Sequence, residues 1–405
     1  MIRHIYDDAW VLDTPGTTYA FRVLPTGQLE HLYYGKHIGI TGGEGALDAL
    51  IEKHAFAPGN TCIYDSAHPE YSLEDMRLEV SSLGKGDLRE PFIEITFADG
   101  SSTCDFIYDR YEIDQKVPAS DTLPTSYDES GKCEHLCVFL KEKVKGVTLE
   151  LHYYVYEDCD CICKMPRLLN ASDTPVTLKR LMSNQIDFDM PGYVFTTFGG
   201  AWTREMQKSS TALVRGKFVN SCISGESSHR ANPFVMLHTA QTTEDEGDVY
   251  AFNLLYSGNH MESAEVSPFG KTRFLIGINP DTFEYKLNPG DSFDAPEAVM
   301  TFSHEGFNEM ETSALKEIGN IITGAYLNSL SELTRLTIVE SIPDLTIDMA
   351  GAILSVPAVE SGMVGDKLLM IQTSFTDDVD LNGYFILVPD VPSYGKLLKA
   401  LGVMQ

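Results

Sequence analysis

Apolar and polar residues alternate with a period of two through most of residues 1–300. Clear runs are Phe92-Ile-Glu-Ile-Thr-Phe97, Val147-Thr-Leu-Glu-Leu-His-Tyr-Tyr-Val-Tyr156 and Val249-Tyr-Ala-Phe-Asn-Leu-Leu-Tyr256. Alternation places every second side chain on one face of a strand, so each run predicts a strand with one buried face. Ala98-Asp-Gly-Ser101, Asn288-Pro-Gly-Asp291 and Thr26-Gly27 supply turn chemistry between runs. Short strands at this spacing predict a large antiparallel sandwich. A helical or loop excursion is expected near Gly45–His54. Val117–Lys132, with Pro118, Pro124 and Gly131, reads as a long surface loop.

The period changes after Met310. Leu315, Ile318, Ile321, Ile322, Ala325, Leu330 and Leu333 fall at helical spacing, and Thr312 or Ser313 is suited to cap the start. Gly319 and Gly324 lie within this predicted helix at a cost of about 1 kcal/mol each relative to Ala, which suggests close approach to its backbone. Strand-like runs follow at Thr337–Glu340, Lys367–Ser374 and Tyr384–Val388, then a short helix at Ser393–Leu401. The expected fold class is mostly β, a β-supersandwich over 1–310, followed by an α+β part over 311–405.

Charge narrows the partners. The net charge is −29; residues from Glu311 onward carry 5 Lys and Arg against 12 Asp and Glu (−7), and the remainder 25 against 47 (−22). Such a surface repels nucleic acid and anionic lipid. No basic region precedes an apolar run at the N-terminus, and no stretch approaches 18 uninterrupted apolar residues, so neither a secretory signal nor a membrane span is expected and the cytoplasm follows by default.

All eight cysteines precede the junction, and in a cytosolic chain they are expected to be free thiols. Cys159-Asp-Cys-Ile-Cys163 reads as small apolar residues on one face of a strand. Cys133 and Cys137, with His135 between them, have zinc-like ingredients but lack a second ligand pair at the usual spacing, so no metal is expected there. In Ser227-Ser-His-Arg230 adjacent residues point to opposite strand faces and no partner carboxylate is identifiable, so a structural role is expected over a nucleophilic one.

Several ordered strings are more specific: Gly84-Lys-Gly-Asp-Leu-Arg-Glu-Pro91, Gly199-Gly-Ala-Trp-Thr-Arg-Glu205, Gly225-Glu-Ser-Ser-His-Arg-Ala-Asn-Pro-Phe234, Tyr256-Ser-Gly-Asn259, Gly277-Ile-Asn-Pro280 and Leu287-Asn-Pro-Gly-Asp-Ser-Phe293. Together they resemble the N-terminal β-supersandwich of glycoside hydrolase family 36 α-galactosidases over roughly 1–310. In that family the domain precedes a (β/α)8 barrel that holds the two catalytic carboxylates; a barrel needs about 250 residues, more than remain here. The resemblance implies a non-catalytic module that helps form oligomers and walls a galactoside site. It gives Trp202 the role of an aromatic face for the sugar; the alternative is a core Trp of the sandwich. The family brings an acidic residue to the sugar from the segment matching Ile51–Phe56, where this chain has Lys53 beside Glu52.

After the junction, Ser313-x3-Glu317-x2-Asn320-x22-Pro343 and Asp348-Met-Ala-Gly-Ala-Ile-Leu354 resemble the CheC-type chemotaxis phosphatases, in their second repeat. That resemblance implies Glu317 and Asn320 as a catalytic pair acting on a phosphorylated CheY-like response regulator. Positions i and i+3 share a helix face, so Asn320 would orient the attacking water and Glu317 would pair with the regulator's lysine. No cofactor is expected on this chain, since Mg²⁺ would be held by the response regulator. Half of the duplicated module is missing, so a homo-oligomer is expected to complete its core. Gly306-Phe-Asn-Glu-Met310 matches the way the first family ends and Glu309-Met-Glu311 the way the second begins, without a Gly-, Pro- or Ser-rich linker. This points to two genes joined at a short common sequence, by recombination or by an assembly error. The remaining reading is a galactoside-binding or oligomerisation module with an inert tail.

Overall fold

A computed structural model describes residues 1–307 apart from Asp7, Glu44, 53–61, Asp121, Glu129, Trp202, Thr203, Ser228 and His229; after Phe307 it describes 331, 334–335, 369–376, 380–387, 396 and 399. The chain divides into two compact units, the first made of Met1–Ala201 and Glu205–Phe307. In chain order the strands are β1 (Ile2–Ile5), β2 (Ala9–Asp13), β3 (Thr17–Val23), β4 (Leu29–Lys36), β5 (Ile93–Thr96), β6 (Phe106–Asp114), β7 (Glu134–Glu142), β8 (Val147–Tyr156), β9 (Cys161–Asn170), β10 (Val176–Phe188), β11 (Tyr193–Ala201), β12 (Arg204–Ala212), β13 (Gly216–Ser221), β14 (Ala231–Thr239), β15 (Val249–Leu254), β16 (His260–Val266), β17 (Thr272–Ile278), β18 (Tyr285–Leu287), β19 (Ser292–Asp294), β20 (Ala298–Ser303), β21 (Leu369–Thr376) and β22 (Asp380–Leu387).

Three antiparallel sheets build the first unit. One is a four-stranded meander, β1-β2-β3-β4. The second runs β13-β16-β17-β10-β18, with β5 also on β10. The third runs β12-β11-β14-β15-β20-β9-β8-β7-β6, with β19 on β9. The expected turns form where the sequence places them. Gly100 and Gly290 adopt φ of 81° and 86°, and Phe97 N–H donates to Ser101 O across the first turn.

The core follows from the alternation. Val147, Leu149, Leu151, Tyr153 and Val155 of β8 are buried in one cluster with Trp10, Phe21, Phe252, Phe274 and Ile276. Each such side chain contributes about 1.5–3 kcal/mol on burial. Phe252 of β15 stacks on Phe274 of β17 with ring centroids 4.0 Å apart, joining the two larger sheets face to face. The fold is a β-sandwich with almost no helix among the described residues, and among them no helix is long and apolar enough to cross a membrane.

One expectation needs adjusting. Cys159 lies in the turn before β9, not on a strand; only Cys161 and Cys163 share a strand. The loop between β6 and β7 is tied down, because Ser126 N–H donates to the buried Glu297 carboxylate at 2.8 Å. Around Gly45–Leu50 the chain forms turns, as the sequence allows. In the second unit β21 and β22 pair antiparallel from Leu369–Leu387 to Thr376–Asp380, overlapping the strand-like runs read there. The predicted helix from Ser313, the strand at Thr337–Glu340 and most of Ser393–Leu401 lie outside the described residues.

Candidate functional site

The family-like strings mark structural joints. In Gly84–Pro91, Asp87 and Arg89 enter a fully buried four-residue ion cluster. Arg273 donates Nε to Asp187 Oδ1 at 2.8 Å and Nη2 to Asp187 Oδ2 at 2.7 Å and to Asp87 Oδ2 at 2.8 Å, while Arg89 Nε donates to Asp87 Oδ1 at 2.8 Å. Burial pushes the Asp87 carboxyl up, but Arg273 and Arg89 outweigh it and hold it below the usual range. Glu90 pairs with Arg180 and Lys217. These charges lock the β10/β17 pair to the segment before β5.

A second buried centre is built around Glu79. Tyr19 Oη donates to both its oxygens at 2.6 Å, Tyr153 Oη to Oε1 at 2.8 Å, and Lys164 Nζ bonds Oε1 and Tyr19 Oη. Burial raises the Glu79 carboxyl, yet the Lys164 ammonium and His31 bring it down to about 2. Burial likewise lowers Lys164 against the pull of Glu79. The adjoining cavity, lined by Glu79, Tyr153, Lys164 and Gln185 among others, measures 10 Å³, room for at most one water and none for a sugar. This centre is structural.

A third group of strings meets around Ala231 of β14, beside the end of β11 that leads into the β11/β12 hairpin turn. The β11/β14 register pairs Gly199 with Ala231, and a Cβ on Gly199 would lie 2.9 Å from Arg230 O, so glycine is required there. Gly225 N–H donates to Asn259 Oδ1 at 2.7 Å, Ser227 N–H to Ser257 O at 2.7 Å, and Asn279 Nδ2 to Cys222 O at 3.2 Å. Beneath them His260 Nδ1 lies 2.9 Å from Glu262 Oε1 and its Nε2 3.1 Å from Ala231 O. Both ring nitrogens face acceptors, and burial raises the Glu262 carboxyl. Strings at 225–234, 256–259 and 277–280 thus tie to one another around Ala231, and β14 in turn pairs with the inner strand of the β11/β12 hairpin. Its outer strand β12 is the edge of the ten-stranded sheet and is exposed along all nine residues. Met206 interrupts it with φ of 55°, an edge distortion of the kind that discourages sheet addition.

Trp202, which follows β11, lies outside the described residues, as do Lys53, His229, Glu317 and Asn320. Glu52 pairs with Lys271 at 3.1 Å. All eight cysteines are free. Cys133 packs with Tyr154, Tyr156 and Cys163, whereas Cys137 and His135 face His152. The sequence does not show Glu79 with Lys164, or Asp187 with Arg273: each pair is distant in the chain and has no motif of its own.

A family model described as the glycosyl hydrolase family 36 N-terminal domain matches residues 27–288, and a CheC-like family model matches 310–346. α-Galactosidase AgaA of Geobacillus stearothermophilus is 33% identical over 294 residues, covering 72% of this chain and 40% of the relative. α-Galactosidase 1 of Pediococcus pentosaceus is 31% identical over 72% of this chain and 39% of its own length. A crystal structure of a doubly substituted AgaA in complex with raffinose superposes with a TM-score of 0.71 at 31% identity, over 75% of this chain and 42% of that one. The chain spans between 31% and 40% of the length of such curated relatives. The first family model spans well over half of the chain and the second covers a short segment beyond it: the chain belongs to glycoside hydrolase family 36 through that family's N-terminal domain, which is followed by a CheC-like segment.

Proposed function

We propose that the sandwich is a non-catalytic module of α-galactosidase type which presents the β11/β12 hairpin, and Trp202 with it, as one wall of a galactoside site. The observation that carries this reading is the contrast within the hairpin. Its outer strand is exposed in full, while its inner strand β11 pairs through Gly199 with Ala231 of β14, whose surroundings are tied by the buried His260–Glu262 pair and by bonds among the 222–227, 257–259 and 279 segments. Sugar stacking requires an aromatic side chain held in a fixed place, the role that the family resemblance gives to Trp202. The two carboxylates of glycoside hydrolysis would come from polypeptide outside these 405 residues. Purified protein is therefore expected not to turn over a nitrophenyl α-galactoside; turnover at an enzyme-like rate would refute the non-catalytic role.

A second reading concerns the CheC-like match at 310–346, which includes Glu317 and Asn320. We propose that this segment, completed by a second copy, speeds dephosphorylation of a CheY-type response regulator that brings its own Mg²⁺. Asn320→Ala is expected to abolish the effect in a phosphate-release assay, and an unchanged rate in that variant would remove the assignment.

A further inference from the structure

Cys137 on β7 and His152 on β8 are direct cross-strand partners, and Glu150 lies two residues from His152 on the same sheet face. One ligand atom from each converges, all within 4.8 Å of one another. His152 Nε2 is 3.9 Å from Cys137 Sγ and 3.4 Å from Glu150 Oε2. Around a tetrahedral zinc ion, bonds of about 2.3 Å to sulfur and about 2.1 Å to nitrogen and oxygen separate S from N by about 3.6 Å and N from O by about 3.4 Å. The two distances from His152 Nε2 thus match the corresponding edges of a zinc tetrahedron to within a few tenths of an ångström.

The neighbouring hydrogen bonds fix which nitrogen is available. Asp114 Oδ1 lies 2.7 Å from His135 Nδ1, so that nitrogen donates and His135 Nε2 keeps its lone pair. His135 Nε2 lies 2.9 Å from His152 Nδ1, which must then carry the proton. In a neutral His152 this leaves the Nε2 lone pair facing a carboxylate oxygen and a thiol, a place that either a proton or a metal ion fills. Two acceptors 3.4 Å apart repel unless a positive centre joins them. Arg167, the cross-strand partner of Glu150, donates to Ser292, and Arg110 donates to Glu112. A carboxylate–histidine chain behind a ligating imidazole is also the usual support of a metal-bound histidine.

We propose that Cys137, Glu150 and His152 bind one zinc-type divalent ion, that His135 and Asp114 position His152, and that the fourth coordination place is open to water or an added ligand. Thiolate, imidazole and carboxylate together favour zinc or cobalt(II) over calcium or magnesium. On binding, the Cys137 S–H bond breaks, a sulfur–metal bond forms and the proton passes to solvent; nothing is oxidised or reduced. His152 and Glu150 retain side-chain exposures of 20% and 18%, which leaves an entry path.

The test is a cobalt(II) titration of the full chain after chelator treatment. The expected result is saturation at one equivalent, with a thiolate-to-cobalt charge-transfer band and intense visible bands of tetrahedral type, both bleached by zinc. Cys137→Ala should remove the charge-transfer band and His152→Gln should weaken binding at least tenfold, while Asp114→Asn should weaken it by about 10–100-fold and keep the spectrum. Cys159→Ser should change nothing. Absence of the band in the unaltered protein overturns the proposal, as does its persistence in Cys137→Ala. If Cys137→Ala does not fold, unchanged affinity in both His152→Gln and Glu150→Gln overturns it.

Discussion

Arg273 and Asp187 are joined by two parallel hydrogen bonds in a place from which water is wholly excluded. The pair bridges neighbouring strands of the six-stranded sheet, with Asp187 opposite Arg273 in register. Removing one charge strands the other. Asp187→Asn is expected to destabilise the sandwich by about 3–5 kcal/mol in denaturant unfolding, whereas replacing both residues with apolar ones should cost much less. Equal losses in the single and double variants would show that packing, not charge pairing, sets the cost.

Glu79 makes stability depend on acid. Its carboxyl is held at about 2 in the folded chain, against about 4.3 when unfolded. Between those values the unfolded chain binds more protons, so stability is complete above about pH 4.3 and is lost as the pH falls towards 2. Glu79→Gln should reduce the slope of stability against pH in that window. At neutral pH it should cost about 3–5 kcal/mol, because Lys164 stays buried without its counter-charge. An unchanged acid slope would contradict this account of the cluster.

Gly277 explains one of the family-like strings without any ligand. A Cβ there would meet Met182 Cα and Ser183 N, each at 2.8 Å, where β10 bulges against β17. Backbone cannot yield as a flexible side chain can. Gly277→Ala is expected to cost about 1–3 kcal/mol or more and to lower the melting temperature; a neutral effect would mean that the bulge relaxes freely.

The thiols should sort by burial. Cys62 and Cys159 are exposed. Burial pushes Cys133 up to about 11 and Cys104 up to about 12, so neither offers much thiolate at neutral pH. A disulfide-exchange reagent should titrate these two exposed thiols quickly and Cys104, Cys133, Cys137 and Cys163 only on unfolding. Rapid reaction of Cys104 in the folded protein would contradict the packing around it.

Much of this arrangement is legible in the sequence, and the limits are physical. Alternation marks β8 over the whole of Val147–Tyr156 because its inward residues face one core. Asn288-Pro-Gly-Asp291 announces its turn because Gly290 must take positive φ. Lys164 gives no such signal: between Cys163 and Met165 it reads as an ordinary polar strand position, and only Glu79, 85 residues earlier, makes its burial tolerable. Cys137 is paired with His152 by strand register, which sequence spacing does not encode. Cys159 and Cys163 do not share a strand face because a turn ends between them at Asp160, a non-glycine residue at φ of 52° whose left-handed conformation the spacing does not announce.

The central claim is that the sandwich offers a galactoside wall through the hairpin beside Trp202, and calorimetric titration of the purified chain with raffinose tests it most directly. The account predicts saturable heat in the unaltered protein and its loss in Trp202→Ala, with the melting temperature of the variant unchanged. Equal heats in the two proteins, or none in either, would contradict it.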